Sequence, residues 1–320
     1  MKVFLAGGSG AIGKRLIPML VAAGHEVVAT TRTPAKTNRL RALGARPFAL
    51  DALNRTAVIE AVASAEPDVV VHELTALSAM GNLKRFDEEF EITNRLRTEG
   101  TQYLLEAAQA AGVRRVVAQS YTGFPNIREG GRIKTEDDPL DPNPPESMRR
   151  TFAAIRQLEA MVMSAGNIEG IALRYGNFYG PGTSIGPGGE VVELVRHRKF
   201  PVFGDGAGVW SFIHIDDAAA ATLVAVEGGP AGSYNIVDDE PAEASVWIPE
   251  LARMIGAKPP YHLPVWVGRL LVGDAGVSIM TKVRGSSNDK AKHLLKWKPV
   301  YSTWRGGFQQ MFSVERYRAA

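Results

Sequence analysis

The sequence of 320 residues is 45% hydrophobic and has 37 basic and 34 acidic residues, a formal net charge of +3 at pH 7. So small a charge, without a run of five basic residues, excludes nucleic acid as the main partner. The absence of cysteine excludes disulfides, iron–sulfur clusters and a thiol nucleophile, and the six histidines show no metal-ligand spacing. No apolar stretch reaches the roughly eighteen residues of a membrane span, and the start does not resemble a signal peptide. We therefore expect a cytoplasmic protein that binds no membrane and no metal.

The N-terminal segment predicts a strand, a glycine turn, a helix and a second strand. Residues 2–6 form a short run that is apolar after Lys2 and leads into the spacing Gly7-x-x-Gly10-x-x-Gly13, after which apolar residues recur at helical spacing. Glycines at such a turn let a pyrophosphate approach the backbone N–H groups at the positive end of the helix. The pattern predicts a dinucleotide site formed by Gly7, Gly10, Ala11, Ile12 and Gly13.

The end of the second predicted strand, residues 25–31, indicates which dinucleotide binds. NAD sites place an acidic residue here for the ribose hydroxyls, whereas NADP sites accommodate the 2′-phosphate with an arginine. This chain has Arg32, followed by Lys36, and no acid at that point. Arg32 can bind a phosphate through two N–H groups, so the sequence favours NADP(H) over NAD(H). The alternative is that Arg32 and Lys36 are only the solvated start of the next helix.

Strands and helices continue to alternate along the chain. Further strands are predicted at residues 45–51, 68–74, 112–120 and 168–174, and a long amphipathic helix at 90–111. This alternation predicts an α/β fold, in which a doubly wound (Rossmann), mostly parallel sheet has helices on both faces.

Two motifs resemble a known superfamily. The glycine spacing and the segment Leu173-Arg-Tyr-Gly-Asn-Phe-Tyr-Gly-Pro-Gly182 are similar to the extended and atypical branches of the short-chain dehydrogenase/reductase superfamily, the epimerase/dehydratase-like proteins. The resemblance implies a dinucleotide-binding domain (residues 1–174 plus about 208–237) and a smaller α/β substrate lobe (175–207 plus 238–320). It also implies a homodimer packed through the helix predicted at 90–111.

The resemblance further implies contacts with the cofactor. Asp51 takes the place of an aspartate that contacts the adenine, although Asp51 alternatively caps the helix that starts near Asn54. Leu74 and Thr75 replace the small residues that pass beside the cofactor in the family.

Three more positions are implied at the reacting end of the cofactor. Ser120 matches the catalytic serine, whose hydroxyl holds the substrate oxygen, and it lies where parallel sheets bind ligands. Tyr175 and Asn177 take the places of residues that support the nicotinamide carboxamide.

The Tyr-x-x-x-Lys pair of ordinary family members is missing. In those proteins the lysine lowers the pKa of the tyrosine, which then exchanges a proton with the reacting oxygen. Alignment on Glu159 puts Thr151 and Ile155 in the two places, and a shift by one residue puts Phe152 and Arg156 there. Neither register provides a tyrosine or a lysine, so the standard acid–base mechanism does not apply unchanged.

Three explanations remain open. Another residue supplies the proton, with Tyr121 first, then Thr122 and His72, and Tyr175 as a further donor. Alternatively, a ketone substrate carries its own neighbouring hydroxyl and water completes the transfer. Lastly, the protein binds the nucleotide without chemistry. The catalytic candidates are therefore Ser120, Tyr121, Tyr175 and His72.

The most favoured function is that of an NADP-dependent oxidoreductase that transfers hydride between the nicotinamide and a small carbonyl or alcohol compound. A nucleotide-sugar epimerase or dehydratase is the alternative enzyme. In its family segment a base reaches the nucleotide-sugar phosphate, but this chain has Trp210 and Ser211 there. The alternative of another class is a non-catalytic NADP(H) sensor.

Overall fold

A parallel sheet of seven strands forms the centre of the computed structural model, which describes residues 1–77 and 81–319. Every neighbouring pair is parallel, and the order is β7-β6-β5-β4-β1-β2-β3. The predicted doubly wound α/β fold is confirmed. The strands are β1 (Lys2–Ala6), β2 (Glu26–Thr31), β3 (Arg46–Ala49), β4 (Val69–His72), β5 (Arg115–Tyr121), β6 (Glu169–Tyr175) and β7 (Gly232–Ile236).

Short strands and helices complete the described ranges. Paired two- and three-residue strands lie at Ile133–Lys134, Asn177–Tyr179, Val202–Phe203, Val209–Trp210, Phe212–His214, Ala242–Glu243, His262–Leu263 and Gly285–Ser286. The helices are α1 (Gly13–Ala22), α2 (Thr37–Ala42), α3 (Arg55–Ala65), α4 (Phe86–Glu89), α5 (Glu91–Arg95), α6 (Thr101–Ala110), α7 (Arg149–Met163), α8 (Glu190–Arg196), α9 (Ile215–Glu227), α10 (Ala244–Met254), α11 (Val265–Thr281) and α12 (Trp304–Ala319). No helix in these ranges is long and apolar enough to cross a membrane.

Helices cover both faces of the sheet. Because side chains alternate along a strand, Val71 of β4 packs with α1 and α9, whereas Val70 packs with α3 and α6. α7 covers the second face beside β5, where its Leu158 contacts Ala118. Strands buried on both faces are continuously apolar, as β4 is.

An aromatic cluster forms a separate core from later residues. Phe212, Trp247, Trp304 and Phe308 are fully buried, and the rings of Trp304 and Phe308 meet edge to face at 5.3 Å. Offset and edge-to-face rings add to the stabilisation from burial. The cluster joins Phe212 to residues of the predicted substrate lobe, and the predicted domain limits stay a prediction.

The direction of winding reverses between β1 and β4, which are neighbours in the sheet. Ligands of open α/β sheets bind at the carboxyl ends of the strands at such a switch point. Gly7 follows β1 and Glu73 follows β4 at this place. The two segments touch, since a Cβ on Gly7 would lie 2.5 Å from the backbone oxygen of Glu73.

The helix predicted at 90–111 is confirmed at 91–110, with one irregularity. A π-helical turn at Leu96–Gly100 separates α5 from α6. A π turn fits extra chain into a helix and changes the direction of the side chains around it, and such turns occur often at functional sites.

Close packing of α7 on β6 gives a test of the fold. A Cβ on Gly170 would lie 1.9 Å from the backbone oxygen of Val162. We expect Gly170→Ala to lower the free energy of unfolding by about 1–3 kcal/mol or more, because the helix must move away from the sheet. Urea unfolding measures the loss. Gly228→Ala is the control, since nothing lies within 4 Å of its Cβ; equal losses would contradict the packing argument.

Candidate active site

The turn after β1 leaves backbone amides free for an anion. Among the described residues, the N–H groups of Ala11, Ile12 and Gly13 donate to no carbonyl, and Ile12 at the start of α1 provides no side-chain cap. A Cβ on Gly13 would lie 2.6 Å from the backbone oxygens of Gly7 and Gly8. Because free amides at a helix N-terminus bind phosphates, these residues fit the pyrophosphate of a dinucleotide.

A group of cations surrounds the end of β2. Lys14, Arg32, Lys36 and Arg39 form no ion pair with any described carboxylate. The pKa of Lys14 is lowered, first by burial and then by repulsion from Arg39, Lys36 and Arg15. An anion bound here would relieve that repulsion.

Asp51 does not cap a helix. Its Oδ1 accepts a hydrogen bond from the Leu53 N–H at 3.0 Å, whereas Asn54 caps α3 by accepting from the Ala57 N–H at 3.2 Å. The exposed Asp51 carboxylate stands after β3, at the carboxyl edge of the sheet. Its predicted contact with the adenine stays a prediction.

Leu74 and Thr75 follow β4 at the switch point. Leu74 is half-buried and Thr75 is exposed. Their predicted contact with the cofactor also stays a prediction.

Ser120 belongs to a buried triad with Glu159 and Arg174. Its hydroxyl donates to Glu159 Oε1 at 2.6 Å, and Arg174 donates to both oxygens of that carboxylate at 2.8 and 2.7 Å. All three side chains are at least nine-tenths buried. Ser120 therefore faces α7, and its oxygen keeps only accepting capacity toward a ligand.

Tyr121 and Asn177 form the next pair along the sheet edge. The phenol donates to Asn177 Oδ1 at 2.7 Å, and Asn177 Nδ2 donates to the Ser211 carbonyl at 3.0 Å, which fixes the direction of the amide. The ring of Tyr121 stacks on Phe124 with centroids 4.3 Å apart. Burial raises the pKa of Tyr121 above its usual value, which weakens it as an acid.

Tyr175 lies under the sheet edge with no exposed surface. Its hydroxyl contacts Glu73 Oε1 at 2.9 Å and Thr222 Oγ1 at 2.7 Å, and Thr222 donates its own hydrogen to the Ala218 carbonyl. If Tyr175 donates to Thr222, Glu73 must be protonated to complete the network. Burial does raise the pKa of Glu73 to about 8. We propose a structural role for Tyr175, since its hydroxyl is used within the core.

His72 lies on the opposite face of the sheet. Its Nδ1 accepts from the Leu74 N–H at 3.2 Å, so Nε2 carries the hydrogen and donates to Thr101 Oγ1 at 3.0 Å. Burial lowers the pKa of His72 to about 4, which keeps the ring neutral. We propose that His72, too, is structural.

The two positions of the missing Tyr-x-x-x-Lys pair are buried. Thr151 and Ile155 are buried on α7, and the contact of Glu159 with Ser120 favours the register that aligns on Glu159. The Thr151 hydroxyl donates to Asp87 Oδ1 at 2.7 Å and accepts from Asn94 Nδ2 at 3.0 Å. No group here can pass a proton to a ligand.

Sequence reasoning missed Arg97, a buried arginine in the π turn. Only 5% of it is exposed, and its Nη1 lies 3.4 Å from Asn94 Oδ1. A signal was present, since Arg97 stands one heptad before the buried Leu104 and thus on the buried face of the helix.

Comparisons with known proteins agree with this geometry. The model of the NAD dependent epimerase/dehydratase family matches residues 3–237. The chain belongs to this family. A reductase of a Streptomyces species, 3-diazoavenalumate denitrifying reductase, is 43% identical over 96% of this chain and 99% of its own length. A quinoline-oxide ketoreductase of Stigmatella aurantiaca is 28% identical over 81% of this chain and 74% of its own.

Solved structures of the epimerase/dehydratase family also match. The Thermus thermophilus UDP-glucose 4-epimerase, solved with NAD, has a TM-score of 0.72 and 25% identity, covering 99% of each chain. We conclude that the present chain is an NAD(P)-dependent oxidoreductase of this family. In the described part of the chain, no cluster of three or more His, Asp or Glu could hold a metal.

Burial of Glu73 makes the free energy of unfolding depend on pH. Because its pKa is raised from 4.5 to about 8, the folded chain keeps between these values a proton that the unfolded chain has released. The free energy of unfolding therefore falls as the pH rises through this range. We expect Glu73→Gln to remove this dependence, so that the variant gains stability relative to the parent by up to about 1.4 kcal/mol per pH unit.

The control for this comparison is Glu60→Gln, at an exposed position of α3. Asp238 has a pKa raised in the same direction, but it is present in both proteins and cancels in the difference. Urea unfolding from pH 5 to pH 8 gives the curves. A stability difference between Glu73→Gln and the parent that does not change with pH would refute the protonated Glu73.

Proposed function

We propose that this protein is an NADPH-dependent reductase that removes nitrogen from a diazo group on a small aromatic carboxylate. The 43% identical relative is named as a denitrifying reductase of a diazo compound and matches nearly the whole chain. That likeness suggests the substrate class, and the geometry of the site supports it.

The proposal rests on one observation: the two positions that hold the tyrosine and the lysine in the family are buried here and carry neither residue. Reduction of a ketone needs a proton on the carbonyl oxygen, and the side chains that should supply it are Thr151 and Ile155. The dinucleotide, when bound, supplies hydride to a diazonium carbon, where a C–H bond forms while the C–N bond breaks and its electron pair leaves with N₂. No oxygen atom takes up a proton in that reduction, so the missing pair is not needed.

Aromatic side chains pack together beside Tyr121, and we propose that a flat substrate packs against them. The ring of Phe86 stacks on that of Phe90, with centroids 4.4 Å apart, and meets the ring of Phe124 edge to face at a centroid distance of 5.5 Å. The rings of Phe124 and Phe152 are tilted relative to each other, with centroids 5.8 Å apart. Tyr121 stacks on the same Phe124. These rings exclude water and favour offset packing with another ring.

NADP(H) is proposed as the cofactor. The unpaired cations Arg32 and Lys36, with Lys14 and Arg39 beside them, provide the charge that a 2′-phosphate requires. The free amides before α1 provide for the pyrophosphate.

Reduction of a ketone is the second candidate. It would use Tyr121 as proton source, and the 28% identical ketoreductase favours it. A nucleotide-sugar epimerase is less favoured, because Trp210 packs 4.9 Å from Trp247 where the family has a base for the sugar-nucleotide phosphate. A homodimer and a cytoplasmic location stay predictions from the sequence.

NADPH oxidation and N₂ release with a diazotised aminocinnamate test the function, against a panel of ketones and nucleotide-sugars. We expect turnover with the diazo compound, and Tyr121→Phe to keep its rate within about threefold, since no proton is transferred to oxygen. A ketone reductase that used Tyr121 would instead lose about 100-fold or more in this variant. Tyr103→Phe, a half-buried phenol of α6, is the control.

Two results would overturn the proposal. Turnover of ketones alone, lost in Tyr121→Phe, would establish the second candidate. Tight NADPH binding without N₂ release from diazo compounds would favour a non-catalytic sensor.

Cofactor choice gives a separate prediction. Arg32→Ala is expected to raise the KM for NADPH by about tenfold or more and to leave the KM for NADH unchanged, because only NADPH carries the 2′-phosphate. Arg41→Ala is the control, since that exposed arginine of α2 donates to Asn38 Oδ1 instead. Equal effects on both cofactors would show that Arg32 does not bind the 2′-phosphate.

A further inference from the structure

We propose that Arg97 binds the carboxylate of the substrate; this rests on the proposed function for the identity of the substrate, but not for the binding itself. Arg97 and the rings of Phe90 and Tyr121 are called the Arg97 subsite below. The ligand class is an aromatic or conjugated carboxylate.

The first support is an unpaired buried cation. Arg97 is at least nine-tenths buried, yet no described carboxylate lies within 4 Å of its guanidinium. Among the described residues its one hydrogen bond is the long one to Asn94 Oδ1, at 3.4 Å, although an arginine has five N–H donors. Burying a charge without a partner is costly, which points to a partner supplied by a ligand.

The second support is the way in which the guanidinium is held. Asp87 accepts from the backbone N–H of Thr151 at 2.8 Å and from its hydroxyl at 2.7 Å, so the Thr151 oxygen can only accept from Asn94 Nδ2. The Asn94 amide is thereby turned with its oxygen toward Arg97. Residues in the place of the lost catalytic tyrosine thus orient a cation.

The third support is the location. The charge of Arg97 acts on both His72 and Tyr121, at the ends of β4 and β5, which is the ligand-binding edge of the sheet. The guanidinium lies 5.9 Å from the centroid of Phe90, which stacks on Phe86. An anion here would have aromatic rings beside it, as an aromatic carboxylate requires.

Phosphates of the dinucleotide are the other anions that could reach this edge. The amides before α1 and the cations around Arg32 already provide for them, so the observations favour the substrate carboxylate. The test separates these two sources.

Calorimetric titration of the NADP⁺-loaded protein with cinnamate and with cinnamamide is the experiment, and it needs no turnover. The parent should bind cinnamate more tightly, and Arg97→Met should weaken cinnamate about 10- to 100-fold with cinnamamide unchanged, the size expected for hydrogen bonds to a charged group. The Kd of NADP⁺ should stay within about threefold, because its phosphates bind elsewhere. Arg95→Met, at the exposed arginine paired with Glu99, is the control.

Further variants keep the test decisive if Arg97→Met does not fold. Arg97→Gln is a second neutral variant with the same expected loss, and Arg97→Lys, which keeps the charge, should retain part of the preference for cinnamate. The subsite is disproved if the parent does not prefer cinnamate, or if the lysine and neutral variants behave alike. A raised Kd for NADP⁺ with unchanged cinnamate binding would assign Arg97 to a phosphate instead. A subsite that binds cinnamate in a protein that releases no N₂ would leave Arg97 supported and the diazo chemistry wrong.

Discussion

The carboxylate of Asp87 is the interaction on which the arrangement of the site depends. It accepts from the Arg150 N–H at 2.9 Å as well as from both donors of Thr151, so it fixes the first turn of α7. That turn sets the position of Phe152, whose ring packs with Phe124 in the aromatic cluster of the site. Further along, the same helix carries Glu159 to Ser120. One buried acid thereby holds Thr151, which stands in the place of the catalytic tyrosine, and the start of the helix whose Glu159 binds Ser120.

Among the described residues, positive charge without a carboxylate partner occurs in two places at the sheet edge. One is the group of Lys14, Arg32, Lys36 and Arg39, in which Arg39 and Lys36 repel Lys14, and the other is the buried Arg97. Unpaired cations at a ligand-binding edge are costly unless an anion joins them, so each suggests its own negative group. The lost acid–base pair and the two cation sites are the features from which we propose a reductase that binds charged ligands and moves no proton to oxygen.

Much of this was accessible from the sequence, because it rests on local patterns. The glycine spacing predicts the turn between Gly7 and Gly13 for the dinucleotide, and apolar runs predict the strands. The absence of a tyrosine and a lysine near Thr151 can be read from the sequence directly. Side-chain direction was harder to predict, since it depends on which face of the sheet a residue meets. The sequence therefore offers both Tyr175 and His72 as catalytic candidates, although both side chains are hydrogen-bonded in the core, on opposite faces of the sheet. Arg97 was missed because its meaning depends on the lack of a nearby carboxylate, a property of packing.

We propose that reduction by this protein proceeds without proton transfer to oxygen. The most direct measurement is the single-turnover rate of N₂ release from a diazotised aminocinnamate with NADPH, compared in H₂O and in D₂O. We expect N₂ release at nearly the same rate in both solvents, with no change in the ratio of the two rates for Tyr121→Phe. A clear slowing in D₂O that disappears in Tyr121→Phe would contradict it, because the phenol would then be donating a proton in the rate-limiting step.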